Sequence, residues 1–236
     1  MSGRDIIGLV LSYGYAFGLL FVVEAIGKRL KWQQTFTRKI VHVGAGLWIW
    51  GILVLFDHWY WGIIPFATFI PMNYYFYRKQ SFKAMDTETS TPGTVYFATS
   101  ITVLFVLLWR TGGPTDYAPI AAAAVMAMTI GDAIASIVGN RWGKHTYTTF
   151  GHPRTWEGTV AMALFTFASI LATLSLVPGS ALSPYSTGWS PAATLLLSLA
   201  GTIVATTAEG LSPTGTDNLT VPLLSGAALY WLGTLL

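Results

Sequence analysis

Apolar residues in this chain run together in stretches of about 20, the length a helix needs to cross the hydrocarbon core of a bilayer. Eight such stretches can be laid out, at residues 6–26, 41–56, 59–77, 95–109, 117–139, 156–177, 192–209 and 219–236. The second and fourth are short for a full crossing and are open to tilt, extension or re-entry. The first has little positive charge before it and no small-residue cleavage region after it, so it reads as a retained span and not as a removed signal. The pattern predicts an all-α fold, a polytopic integral membrane helical bundle of about eight transmembrane helices. The spans leave no room for a separate soluble unit, so residues 1–236 are expected to form a single integral membrane domain.

Composition agrees with that reading. Hydrophobic residues make up 53% of the 236 and charged residues only 10%, against about 25% charged in soluble domains, and the mean hydropathy is +0.55. Cysteine is absent, which excludes disulfides and thiolate metal sites. The four histidines are too scattered along the chain to specify a metal cluster.

The charges sort by side. Lys28, Arg29, Lys31, Arg38, Lys39, Arg78, Lys79, Lys83, Arg141, Lys144 and Arg154 fall in loops on one side of the eight spans, and only Arg4 and Arg110 fall on the other. The positive-inside rule makes the first set cytoplasmic and both termini external. The expected location is therefore an integral, multi-pass place in the cell membrane with the active side toward the cytoplasm. Topology and attraction to anionic membrane lipids account for Lys28, Arg29, Lys31, Arg78 and Lys79. No nucleic-acid-binding module accompanies the basic face, so no nucleic-acid partner is expected.

Seven of the ten acids, Glu24, Asp86, Glu88, Asp132, Glu157, Glu209 and Asp217, lie on or near that same side. Carboxylates hold Mg²⁺ together with water and substrate phosphate, and Lys and Arg hold phosphate oxygens directly. The combination points to a phosphorylated, metal-borne substrate reaching the membrane from the cytoplasm. Asp132 is the most telling, because an ionised side chain inside a span costs roughly 2.5 to 3.5 kcal/mol on insertion scales and tends to serve a site or pathway. Around it, Gly131, Ala135, Gly139 and Gly143 recur every four residues as a ridge for close helix packing, with Asp132 and Ser136 on the adjacent face.

The loop that follows has glycines with Arg141, Lys144 and Arg154. Its Gly139–Lys144 spacing is one residue short of a P-loop, follows a helix, and has His145 where a hydroxyl is needed, so that motif is rejected. Glycines and cations able to surround phosphate remain. Glu157, just after Thr155, suits either a helix-capping acid or a metal or nucleotide contact. Arg38 and His42 share a helical face, and His42 taken alone is an interfacial histidine; Glu24 and Lys28 form a local pair. Glu209 and Asp217-Asn218 flank an irregular turn, where Asp217 is either a cap or a ligand. The Asn218-Leu-Thr sequon falls on the predicted cytoplasmic side and is discounted.

Taken in order, Arg38-Lys39-x-x-His42, Thr91-Pro-Gly93-Thr-Val-Tyr96-Phe97, Gly131-Asp132 with the glycine ridge to Lys144, Arg154-Thr155-Trp-Glu157-Gly158-Thr159, and Glu209 with Asp217-Asn218-Leu-Thr-Val-Pro222 resemble the polyprenol kinase family. Those are CTP-dependent membrane enzymes that phosphorylate isoprenoid alcohols such as dolichol, phytol and farnesol. The resemblance covers most of the chain, with Arg154 where a Lys is common before the Glu-Gly pair. It is distantly shared with CDP-diacylglycerol synthases, whose C-terminal glycine-rich signature with paired Asp is absent here.

The resemblance implies that CTP and Mg²⁺ bind at the cytoplasmic mouth. Lys39, Arg38, Arg141, Lys144, Arg154, Thr155 and Asn218 are then the nucleotide and phosphate contacts. Asp132, Glu157, Asp217 and Glu209 are the metal ligands, and His42 or an acid is the proton acceptor. The lipid alcohol enters sideways from the bilayer, and its hydroxyl attacks the γ-phosphoryl group. Two other readings stand beside it: a cytidylyltransferase of the CDP-lipid synthase type, and a transporter of an anionic solute, which intramembrane acids also suit.

Overall fold

The structure is a computed structural model that describes residues 1–79, 91–112, 116–213 and 215–236. Lys83, Asp86 and Glu88 lie outside the described residues.

Helix α1, Gly3–Leu30, starts at a capping box in which Ser2 and Asp5 bond each other's backbone N–H, and ends where Lys31 turns into the left-handed region. Both devices satisfy backbone groups that a helix end otherwise leaves open. Helices α2 (Gln34–Leu55), α3 (Trp59–Lys79) and α4 (Gly93–Leu108) follow. The next rod begins as α5 (Ala118–Met126), passes through a π-helical segment (Ala127–Asp132) and continues as α6 (Ala133–Trp142). After it come a β-hairpin and helices α7 (Trp156–Leu176), α8 (Pro191–Leu211) and α9 (Asp217–Gly233). Counting the α5–α6 rod once, the described residues build eight rods in an all-α polytopic membrane bundle, five of them long and apolar enough to cross a membrane. The second stretch is a complete 22-residue helix. The fourth stays short, at 16 residues.

The α5–α6 rod is the axis. Every residue of α5 is buried, because Pro-Ile-Ala-Ala-Ala-Ala-Val-Met offers small apolar side chains on all faces and lets α4, α7 and α9 close around it. The outer rods keep apolar residues exposed, for example Val10 and Val22 on α1 and Ile203 on α8, as expected of surfaces that meet lipid. Helix α1 lies outermost and packs on α2 and α3.

The loop after α6 carries structure that apolar patterning could not show. Strands β1 (Thr146–Thr149) and β2 (His152–Thr155) pair antiparallel, with Thr146 opposite Thr155. The two linking residues, Phe150 and Gly151, both have positive φ, the backbone that a tight two-residue hairpin turn requires. Tyr147 anchors the hairpin on α7, with its hydroxyl 2.7 Å from Thr159 Oγ1.

Candidate functional site

The site begins at the π-helical segment. One extra residue per turn rotates the rod locally, a feature that recurs at functional positions, and it ends on Asp132. The segment is wedged from both sides. A Cβ at Gly131 would lie 2.8 Å from Met162 Sδ on α7, and one at Gly46 on α2 would lie 2.8 Å from Thr129 Cβ. Glycine at these two points lets three backbones converge, which holds Asp132 against α2.

Asp132 is only 5% exposed, and Lys39 Nζ reaches its Oδ2 at 2.6 Å. His42, one turn further along α2, places Nε2 3.9 Å from the same oxygen. Its ring meets Phe97 of α4 edge-on at 4.7 Å, and Nε2 lies 3.4 Å from the Met128 carbonyl. A second ion pair stands across the space. Arg154, at the end of β2, donates from Nη1 to Glu209 Oε1 and from Nη2 to the Ser212 carbonyl at 3.0 Å. The hairpin therefore aims Arg154 inward, while Glu209 at the end of α8 is almost entirely buried.

These groups line one cavity of about 430 Å³ together with Arg38, Thr155, Asp217 and Asn218. Thr155 caps α7 by accepting the Gly158 N–H at 3.1 Å. Asp217 accepts the Asn218 N–H at 2.8 Å, while the Asn218 carbonyl accepts from Ser100 Oγ at 2.8 Å and its side-chain Oδ1 is buried with no hydrogen-bond partner among the described residues. The cations Arg38, Lys39 and Arg154 face the carboxylates Asp132, Glu209 and Asp217, so the wall is charge-matched and strongly polar. Such pairs survive burial only when each charge is compensated.

Three residues assigned to the site from sequence do not line this cavity. Glu157 pairs with His145, Oε1 to Nδ1 at 2.7 Å, and both its oxygens lie 3.3 Å from the His145 N–H. It thereby ties the base of the hairpin to α7. Arg141 stacks over Trp142, and Arg141 and Lys144 are both exposed at the surface. The glycine ridge packs as expected: a Cβ at Gly139 would lie 2.8 Å from Thr155 Oγ1, and one at Gly158 only 3.0 Å from the Ala135 carbonyl oxygen.

Other lining residues stand out less in the sequence. Asn73, in the middle of α3, donates to the Thr94 carbonyl at 3.0 Å and lines the cavity with Thr94; a lone amide in an apolar run is the mark that could have found it. Tyr15 and Trp48 line its other end and look in sequence like ordinary span aromatics.

Among the described residues no group of three or more His, Asp or Glu side chains is arranged to hold a metal by itself. The donors that line the cavity are hard carboxylate oxygens, Asp132, Asp217 and Glu209, beside cations suited to phosphate. That set fits Mg²⁺, which takes one or two protein carboxylates and completes its shell with water and phosphate.

No family model matches the sequence, and no solved structure matches the fold. Named relatives do. The chain is 32% identical to the phytol kinase of Synechocystis sp. (strain ATCC 27184 / PCC 6803 / Kazusa), over 98% of its own length and 93% of that protein's. It is 27% identical to a probable chloroplastic phytol kinase of Triticum aestivum, over 97% and 78% of the two chains. It is also 27% identical to the probable phytol kinase 2 of Oryza sativa subsp. japonica, over 94% and 74%. A bundle with paired cations and carboxylates around one cavity, related over nearly all its length to such a kinase, belongs to the phytol kinase family.

Proposed function

We propose that this enzyme transfers the γ-phosphoryl group of CTP to the hydroxyl of a phytol-type isoprenoid alcohol, at the cytoplasmic mouth of the cavity. The observation that carries the reading is the convergence of Lys39–Asp132 and Arg154–Glu209 at the polar end of a cavity that continues into the apolar bundle. Phosphoryl transfer asks little covalent chemistry of a protein. It asks for positioning and charge neutralisation, and this wall supplies both.

In this scheme Arg38, Lys39 and Arg154 hold the phosphates, and Thr155 and Asn218 add neutral contacts. One or two of the carboxylates Asp132, Asp217 and Glu209 would hold Mg²⁺ together with water and phosphate, and the ion would supply neutralisation of charge on the phosphate oxygens. The alcohol oxygen attacks the γ-phosphorus in line, the bond to the β,γ-bridging oxygen breaks, and CDP leaves. The hydroxyl proton passes to His42, whose Nε2 lies 3.9 Å from Asp132 Oδ2 and whose ring Phe97 holds edge-on. Glu157 acts at a distance, as the brace of the hairpin that carries Arg154. The basic loops favour a cytoplasmic nucleotide side, and the membrane lipids deliver the alcohol.

The test is to supply purified protein in nanodiscs with CTP or ATP and with phytol, geranylgeraniol, farnesol or dolichol, and to identify the product by mass spectrometry. A phosphorylated alcohol formed with CTP is expected. Folded protein that phosphorylates none of them with either nucleotide overturns the proposal.

A further inference from the structure

The cavity changes character along its length. At the Asp132 end its walls are ionic. Along α2 the same face continues from Lys39 and His42 to Ala45 and Trp48, a rise of about 13 Å, and there the opposing walls are Phe66 and Phe69 of α3 with Leu19 of α1. Helix α1 packs on α2 and α3 and supplies one wall of this half through Ser12, Tyr15, Ala16 and Leu19.

The far end is built, not merely apolar. Tyr15 and Trp48 stack with ring centroids 4.2 Å apart and an interplanar angle of 14°. Tyr15 donates to the Gly44 carbonyl at 2.8 Å, Trp48 Nε1 donates to Ser12 Oγ at 3.1 Å, and Ser12 donates to the Gly8 carbonyl at 2.6 Å. The donors of Tyr15, Trp48 and Ser12 are all engaged within the protein. A ligand there gains chiefly from apolar contact.

We propose that the isoprenoid tail of the substrate is housed inside the protein, in this apolar half of the cavity beneath α1, and that the Tyr15–Trp48 stack sets the tail lengths accepted. The inference rests on the lipid-alcohol kinase reading for the identity of the occupant. The hydroxyl sits at the Asp132 end and the tail runs toward Trp48, so polarity of wall and ligand match along the whole path. A tail left in the bilayer would leave the enzyme blind to its length; a floor of stacked aromatic rings makes length a packing term, and each added or missing methylene in such a pocket is worth about tenfold or more in selectivity.

Two measurements test this together. In the first, wild-type protein in nanodiscs is irradiated with an isoprenoid alcohol bearing a diazirine at the tail end, and the adducts are mapped by peptide mass spectrometry. Adducts at Tyr15, Trp48 or Phe69 are expected; adducts at the outward-facing Val10, Leu11 or Val22 overturn the proposal. In the second, the relative kcat/KM for farnesol and phytol is compared between wild type, Trp48→Ala and Ala45→Trp. Trp48→Ala should shift the ratio toward the longer alcohol and Ala45→Trp toward the shorter, each by about tenfold; an unchanged ratio in both overturns it. Labelling needs no turnover, so floor adducts without any phosphorylated product would sink the kinase reading and leave the tail site standing. Phosphorylation with only outward adducts would do the reverse.

Discussion

Replacing Asp132 by Asn removes one charge from a pair nearly out of solvent. The side chains of Asp132 and Lys39 keep 7% and 24% of their exposure, with Nζ 2.6 Å from Oδ2. Breaking a buried pair from one side costs about 3–5 kcal/mol because the remaining charge is left desolvated. Lys39 still reaches some water, so Asp132→Asn belongs near the lower end, at about 3 kcal/mol. Lys39→Met strands the deeper anion and belongs near the upper end, eased by His42 at 3.9 Å. The double variant removes both charges and should return to within about 1–2 kcal/mol of wild type, since neutral replacements of a buried pair are often close to neutral. Unfolding by SDS in mixed micelles, followed through the ten tryptophans, measures all three. Turnover should behave differently: every one of these variants should lose at least about a hundredfold in phosphorylation rate, as when a preorganised charge is removed from a transition state. Stability losses that simply add in the double variant would refute the coupled pair. Turnover that returned with stability would reduce the pair to a structural tie.

Arg154→Ala leaves Glu209 buried without its cation and should destabilise by about 3 kcal/mol while raising the KM for nucleotide; Arg154→Lys should recover only part of both, since an ammonium cannot span Glu209 and the Ser212 carbonyl as a guanidinium does. Unchanged nucleotide KM in Arg154→Ala would remove it from the phosphate contacts. Glu157→Gln loosens the hairpin through His145, so steady-state kinetics should show a higher nucleotide KM with kcat largely kept, and a fall in kcat matching that of Asp132→Asn would make Glu157 a direct participant. Gly158→Val pushes side-chain bulk toward the Ala135 carbonyl oxygen, 3.0 Å from a Cβ there, and should cost about 1–3 kcal/mol by overpacking, seen as a lower thermal midpoint in detergent. A midpoint unchanged from wild type would mean that α6 and α7 are not in close contact.

Much of the architecture was legible. Span length and hydropathy act locally, so the rods could be counted from composition alone, and the 117–139 stretch does form one continuous rod, α5 to α6. The hairpin at Thr146–Thr155 was not legible, because its register depends on the left-handed pair Phe150–Gly151 and on Tyr147 docking on α7. Within the candidate site, residue type and position single out Asp132, Arg154, Glu209 and Asp217, while Lys39, His42 and Asn218 are assigned through the resemblance to the polyprenol kinases; all seven line one cavity. Arg141 and Lys144 looked equivalent to Arg154 in the same basic loop, yet only the last is turned inward, because strand alternation and the pairing of Tyr147 with Arg154 set its direction.

By itself the amino-acid sequence determined that the chain is a membrane bundle, that its basic residues gather in a few stretches between apolar runs, and that an acid sits inside an apolar run. These are properties of single segments and need no knowledge of neighbours. Only the tertiary structure decided that Lys39 neutralises Asp132 across 93 positions, that Arg154 meets Glu209 across 55, and that Glu157 serves the hairpin. It alone also joined the ionic pocket to an apolar half lined by Tyr15 and Trp48. Which charge finds which is settled by helix packing, where glycines at 46 and 131 let backbones approach, and by the desolvation cost that forces each buried charge to end beside its opposite.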